Sequence, residues 1–297
     1  MTPGLSILIP VYNRVVKQLV TSLVSQNGTW PGPVEICLFD DGSLEEFRQP
    51  NRPLADLPGV RYHELPRNVG RAAIRNQLAA AAQHEWLLLL DNDSLLPDAQ
   101  FLGRYAAACA LAPVLIGGTC YHATPPPDPA LRLRWQYGRA REARPAAVRQ
   151  MQPYQQLTIN NALIRAEVFR RYALDEQLTG YGHEDTAFGE ELAAAGVPVR
   201  HLDNPVLHDG LEPADVFLQK SEQAVRNLAQ VHRQKGQCAD SRLLQTALRL
   251  RRLGLGGAVG AGLSAAAPAL RRQLLSAAPK LRAFDLLKLH WLLRELA

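Results

Sequence analysis

Short, strand-like apolar runs alternate with helical patterns through the first hundred residues, and this alternation constrains the fold more than any other feature. Residues 5–10 (LSILIP), 34–39 (VEICLF), 60–65 (VRYHEL) and 86–90 (WLLLL) read as four strands. Helical spacing lies between them, at Val16, Leu19, Val20 and Leu23 within 15–26, and in the Ala-rich segment 70–83. Strands separated by helices imply right-handed crossovers and a mostly parallel sheet covered on both faces. In such sheets ligands bind beyond the carboxyl ends of the strands. Three of the four strands end in groups capable of chemistry: Tyr12-Asn13-Arg14, Asp40-Asp41 and Asp91-Asn92-Asp93.

The remainder of the chain extends this pattern without repeats. Residues 121–153 are rich in Pro and Arg, lack apolar period and read as a mobile loop or lid. A strand is expected over 157–165, a helix over 184–195 and a strand over 197–202. Beyond Pro213 the pattern is helical, with breaks at Gly236, across 254–262 and at Pro279. The 297 residues, 47% of them hydrophobic, suffice for one large α/β domain with an appendage or for two modest domains. The expected divisions are 1–112 and 113–212, two halves of one domain, and 213–297, a helical extension.

Charge and cysteine usage narrow the function classes. The net charge is +5, with the basic excess gathered in 132–149 and 242–288. No nucleic-acid module signature accompanies it, so nucleic acid is not an expected partner. Cys37, Cys109, Cys120 and Cys238 are scattered and include no CxxC. That favours a reduced, cytoplasmic setting, as does the absence of a signal-peptide pattern at the start. The run 253–270 is mostly Gly and Ala with Pro268 and reads as not spanning a membrane. Basic and apolar residues interleave from 243 to 296, which suits peripheral contact with the inner face of an anionic membrane. Packing on the catalytic domain or a partner chain, including a second copy, is the competing reading.

Three segments carry the chemistry. Asp91 and Asp93 flank Asn92 on a turn after a buried strand, where two carboxylates can face a divalent cation; an Asx-turn closing the strand is the bland alternative. In 180–185 (GYGHED) paired carboxylates follow glycines that admit close approach of a ligand, whereas an isolated Glu-Asp would be simple helix capping. His208, in PVLHDG, follows a strand and is the better histidine candidate; His201 sits inside a strand pattern. Imidazole beside oxygen donors favours Mn²⁺ over Mg²⁺.

In order and spacing, LSILIPVYNR, FDDGS, ELPRNVGRAAIRNQ, LLLLDND, GYGHEDTAFGEEL and PVLHDG resemble the pattern of glycosyltransferase family 2 on a GT-A fold, over about residues 4–212. GYGHED is also similar to an acceptor-side motif of chondroitin-polymerase and β-galactosyltransferase relatives, in which Gly-Trp-Gly-Gly-Glu-Asp is usual; Tyr181 and His183 depart from it. The resemblance implies an α/β fold of GT-A type, with a Rossmann-like, mostly parallel central sheet, flanking helices and a C-terminal helical extension; 1–112 would be its nucleotide-sugar-binding half and 113–212 its acceptor-binding and catalytic half. It implies a metal-dependent, inverting transfer of sugar from a nucleotide diphosphate, such as a UDP-sugar, to a hydroxyl of a glycan or lipid-linked glycan.

Residue roles follow from the same resemblance. Pro10, Tyr12 and Arg14 would line the nucleotide, Asp40 and Asp41 the base and ribose, and Asn68, Gly70 and Arg71 the base or diphosphate. Asp91, with Asn92 beside it, would touch the ribose or donor sugar. Asp93 and His208 would hold the metal, Asp185 would be the general base, and Glu184 would bind acceptor or donor sugar. Two other classes compete: a sugar-phosphate nucleotidyltransferase, whose expected glycine-rich loop is missing after the first strand, and a non-catalytic sugar-nucleotide-binding protein. A Rossmann dehydrogenase is disfavoured, since no GxGxxG follows that strand.

Overall fold

The structure is a computed structural model that describes residues 2–176, 184–235 and 241–297. These form two compact units. Their described parts are 2–120, 143–176 and Glu184–Gly210 for the first, and Tyr121–Glu142, 211–235 and 241–297 for the second.

In chain order the elements begin β1 (Leu5–Val11), α1 (Lys17–Val24), β2 (Val34–Asp40), α2 (Glu45–Asn51), β3 (Val60–Glu64), α3 (Arg71–Ala81) and β4 (Trp86–Leu90). Next come β5 (Ser94–Leu95), α4 (Phe101–Ala108), β6 (Val114–Ile116), β7 (Thr119–Cys120), α5 (Arg132–Tyr137) and α6 (Ala146–Gln150). Then follow β8 (Asn161–Arg165), α7 (Ala166–Arg171), α8 (Glu184–Ala194), β9 (Val199–His201) and β10 (Val206–His208). The chain closes with α9 (Ala214–Lys235), α10 (Arg242–Arg252), α11 (Gly256–Leu274) and α12 (Leu281–Glu295).

The main sheet of the first unit runs β3-β2-β1-β4-β8-β6-β9, and a small sheet runs β5-β10-β7. The β1–β2, β1–β4, β2–β3 and β6–β9 pairs are parallel, and β8 is antiparallel to both its neighbours. The alternation of side chains across the pleat explains why the central strands β1 and β4 are almost wholly apolar. Leu5, Ile7, Ile9, Trp86, Leu88 and Leu90 enter a core with Leu19 and Leu23 of α1 and Phe101 and Tyr105 of α4. Leu8, Leu87 and Leu89 face the other way, onto Ile74 and Leu78 of α3. Both faces are covered, so no polar face interrupts the runs.

The order places β2 and β3 on one side of β1 and β4 on the other. The strand order therefore reverses between β1 and β4, the position at which a crevice opens beyond the strand ends. The backbone is braced there. Asn13, with φ 47°, is the non-glycine residue of positive φ among the described residues; its Nδ-bearing amide accepts from Leu44 N through Oδ1 at 2.9 Å, and its own N–H reaches Ser43 Oγ at 2.9 Å. Gly42 also has positive φ, 76°, and a Cβ there would lie 2.5 Å from Asn68 N and 2.6 Å from the Arg67 carbonyl carbon. Gly42→Ala is expected to destabilise the fold by at least ~1–3 kcal/mol from backbone strain, before any clash. A urea midpoint equal to that of the unsubstituted protein would refute this.

Several sequence expectations need correction. The stretch 121–153 is not a featureless loop: it carries α5, a π-helical turn at Gly138–Glu142 and α6. Arg134, buried, reaches Glu142 at 3.1 Å, and Tyr121 Oη bonds the same carboxylate, so polar contacts, together with Leu133 and Tyr137 packed on the core of the second unit, order α5 and the turn after it. The break expected across 254–262 is instead three residues, Leu253, Gly254 (φ 72°) and Leu255, and α11 runs through the following glycines and Pro268. Packing of Val259, Leu263, Ala267 and Leu270 onto the core of the second unit offsets their poor helix propensity. The strand expected over 157–165 is shorter, as β8. Gly236 and Cys238 lie outside the described residues.

Candidate active site

The carboxyl ends of β1, β2 and β4, the N-terminal turn of α3, the first turn of α8 and the end of β10 supply the polar groups. Each arrives there for a local reason. Asp91 follows the last residue of β4, and its N–H bonds Asn160 O at 3.2 Å while its C=O accepts from Ser94 N at 3.1 Å, closing a turn. That turn projects Asp91 toward α3. Arg75 Nη2 bonds Asp91 Oδ1, and Arg71 Nη2 lies 3.7 Å from Asp91 Oδ2. Arg71 and Arg75 are one helical turn apart on α3 and share a face, and Arg75 Nη1 also donates to Arg71 O at 3.1 Å.

Arg71 then links β4 to α8. Its Nε donates to Glu184 Oε1 at 2.8 Å, while Glu184 Oε2 is buried with no hydrogen-bond partner among the described residues. Burial raises the Asp91 pKa, but Arg75 and Arg71 together outweigh it and hold the carboxyl below its usual range, with His208 contributing in the same sense. Asp185 behaves oppositely. Burial, then the Glu184 charge, push its pKa up to about 7 against the pull of Arg75 and Arg71, and Asp91 adds to the rise. Two carboxyl groups in one cluster are thus driven apart, one kept ionised and one poised near neutrality, the pattern by which acid–base roles are divided.

Asp93 and His208 form the adjoining pair. His208 Nε2 lies 3.4 Å from Asp93 Oδ2, because β10 pairs with β5 in a register that sets His208 against Ser94. Asp209 N–H bonds Asp93 O at 2.8 Å. Gly210 is required by this approach, since a Cβ there would sit 2.3 Å from Asp93 Oδ2. Arg14 Nη2 donates to Asp209 Oδ2 at 2.8 Å, and Asn92 Nδ2 to Tyr12 O at 3.3 Å, so the β1 loop is tied to the segment after β10 and, across the switch point, to the β4 loop.

The other expected residues fall into distinct groups. Tyr12 is 51% exposed and Asn68 is exposed, both at this end of the sheet, and Pro10 is partly buried on β1. Asp40 is wholly buried; Ser43 N, Arg48 Nε and Tyr62 Oη all donate to it. Asp41 accepts from Val69 N at 2.7 Å and Gly70 N at 3.3 Å, holding the chain that leads into α3, where Gly70 takes φ 94°. His201, the weaker histidine candidate, is buried among Arg149 and Pro153 O and belongs to the core. The glycines and Tyr181 and His183 of GYGHED lie outside the described residues.

Sequence reasoning missed Arg75 and Asp209. Arg75 is a buried arginine whose partner is 16 residues away in sequence, yet its position one turn after Arg71 was a readable signal. Asp209 offered none, because its partner Arg14 is 195 residues distant.

Comparison with known proteins adds independent findings. A family model described as Glycosyl transferase family 2 matches residues 6–173. Validoxylamine A glucosyltransferase of Streptomyces hygroscopicus subsp. limoneus is 30% identical over 227 residues, 66% of this chain and 49% of that protein. The enzyme of the same name from Streptomyces hygroscopicus subsp. jinggangensis (strain 5008) is 29% identical over 227 residues, covering 66% and 53%. The chain spans about half the length of these curated relatives. Among solved structures, S. aureus TarS 1-349 is 18% identical with TM-score 0.53, covering 97% of this chain and 89% of that one. It has also been solved with UDP and with UDP-GlcNAc. Mannosyltransferase PcManGT from Pyrobaculum calidifontis, in complex with GDP-Man and Mn²⁺, is 16% identical with TM-score 0.63, covering 99% and 86%. At these identities the structural likeness establishes the fold, which is GT-A.

Proposed function

Because this chain belongs to glycosyl transferase family 2, we propose that it is an inverting, metal-assisted glycosyltransferase moving a sugar from a nucleotide diphosphate onto an acceptor hydroxyl. One observation carries the reading: Asp91, Arg71, Arg75, Glu184 and Asp185 form one charged cluster at the strand-order switch point, beside Asp93 and His208. A nucleotidyltransferase or a simple binding protein has no need of a carboxyl poised near neutrality next to one kept ionised.

The donor's base and ribose are assigned to the crevice edged by Pro10, Tyr12, Arg14, Asn68 and Gly70. Asp41 shapes that edge through Val69 and Gly70, with Asp40 behind it. Asn92 fastens its floor to Tyr12. Arg71 faces the diphosphate, and Arg75 fixes Asp91 toward the ribose or donor sugar. Glu184, with one oxygen held by Arg71 and the other buried without a partner among the described residues, is suited to accept from a sugar hydroxyl.

A divalent cation fits Asp93 and His208, since a carboxylate and an imidazole already stand side by side and Gly210 leaves room for the approach. Among the described residues no cluster of three or more His, Cys, Asp or Glu could hold a metal, so Asp93 and His208 would need oxygen donors from the bound nucleotide sugar beside them. When bound, the ion neutralises charge gathering on the departing diphosphate. Imidazole ligation favours Mn²⁺ over Mg²⁺. Asp185 removes the proton from the acceptor hydroxyl as that oxygen attacks the anomeric carbon on the face opposite the leaving nucleotide, which inverts the configuration.

UDP is the expected nucleotide; the validoxylamine glucosyltransferases make glucose the first sugar to try. Incubation with UDP-glucose, UDP-GlcNAc and GDP-mannose, with Mn²⁺, is expected to release free nucleoside diphosphate from one donor far faster than from the others. Release from none, with a panel of sugar and cyclitol acceptors present, would leave the transfer reading without support.

A further inference from the structure

Surface helices of water-soluble domains normally present charge to solvent. Helix α11 does not. Between Gly256 and Leu270 it carries no charged residue, yet Ala258, Ala261, Gly262, Ala265 and Ala269 are exposed. Its other face, Val259, Leu263, Ala267 and Leu270, packs on the core of the second unit. At both ends stand arginine pairs, Arg251-Arg252 and Arg271-Arg272, all exposed, next to Leu253 (62% exposed), Leu255 and Leu275. Residues 241–297 hold ten Lys and Arg against two Asp and Glu, a net +8 in a chain of net +5, so the rest of the molecule is net −3.

We propose that the outer face of α11, framed by these arginine pairs and exposed leucines, docks flat on an anionic phospholipid bilayer. Among the described residues no helix is long and apolar enough to cross a membrane, so this is surface contact. At about 28 Å long, the 19-residue helix would lie in the interface, its arginines reaching headgroups and its leucines the acyl boundary. A cavity of about 500 Å³ lined by Arg251, Gly257, Gly260, His290 and Arg294 leaves room for a headgroup beside it. Small residues also suit close helix–helix packing, but a second copy is disfavoured by charge. Pairing α11 with itself sets arginine pairs against arginine pairs in either direction, whereas an anionic surface complements both ends at once.

The test is flotation of the full chain with phosphatidylcholine vesicles with and without phosphatidylglycerol. Binding is expected only to the anionic vesicles, with release as salt is raised. Each arginine near such a surface contributes roughly a fivefold factor. Replacing Arg251, Arg252, Arg271 and Arg272 by Gln is therefore expected to weaken partitioning by several hundredfold, on the order of the product of those factors, at low salt. Replacing all four by Lys should leave it nearly intact, and Leu253→Ser with Leu275→Ser should weaken it without altering net charge. Absence of vesicle binding by the unsubstituted chain, equal binding to neutral vesicles, or a salt-resistant dimer lost on the leucine changes would each overturn the proposal.

Discussion

Asp185→Asn is expected to lose about 100- to 10,000-fold in turnover while retaining donor affinity, because general-base assistance contributes that much and the amide cannot accept the proton. The sign of the pH dependence follows from the same group. With its pKa pushed up to about 7, Asp185 is protonated and inactive as a base below that pH and ionised above it. The logarithm of kcat/KM should therefore rise by about one per pH unit on the acid side and level off above about 7. In the Asn variant this limb should vanish. Stability should move the opposite way: a carboxyl raised in the fold destabilises it as pH rises from the ordinary Asp value of 3.8 toward the folded value. The variant should thus resist heat at pH 8 at least as well as the unsubstituted chain. Turnover within a few-fold of normal, with the acid limb unchanged, would remove Asp185 from the role of base.

Asp93→Ala is expected to weaken Mn²⁺-dependent donor binding by at least about 100-fold, beyond the 10- to 100-fold that loss of an outer-sphere partner costs. Titration calorimetry with UDP, with and without Mn²⁺, reads this directly and needs no acceptor. Metal-independent affinity should change little, since Tyr12, Arg14 and Arg71 would still face the nucleotide. The metal would be held by only two protein groups, Asp93 and His208, which is why one deletion is expected to have so large an effect. Metal-dependent affinity that survives the change would place the cation elsewhere.

Legibility differed from element to element. The first four expected strands agree with the observed ones within a residue or so; β1, β2 and β4 stood out because strands covered on both faces are mostly apolar, whereas the edge strand β3 (VRYHE) exposes Arg61 and His63. The α3 helix appeared as expected from its Ala-rich pattern. The segment 121–153 misled because Arg134, Glu142 and Tyr121 order it through polar contacts that periodicity does not register. The α11 glycines misled in the other direction, as packing overrode propensity.

By itself the sequence determined the mostly parallel sheet and the strand ends that carry polar groups, and it made Asp91, Asp93, Glu184, Asp185 and His208 readable as candidates from the strand and helix termini they occupy. The tertiary structure alone decided who faces whom. Arg75 reaches Asp91, Arg71 bridges to Glu184, and Arg14 meets Asp209 only because crossovers bring together positions 16, 113 and 195 residues apart. The division of Asp91 and Asp185 into an ionised and a near-neutral carboxyl was likewise settled in three dimensions. A side chain's charge state depends on the solvent it loses and the charges it gains on folding, and neither quantity is local in the chain.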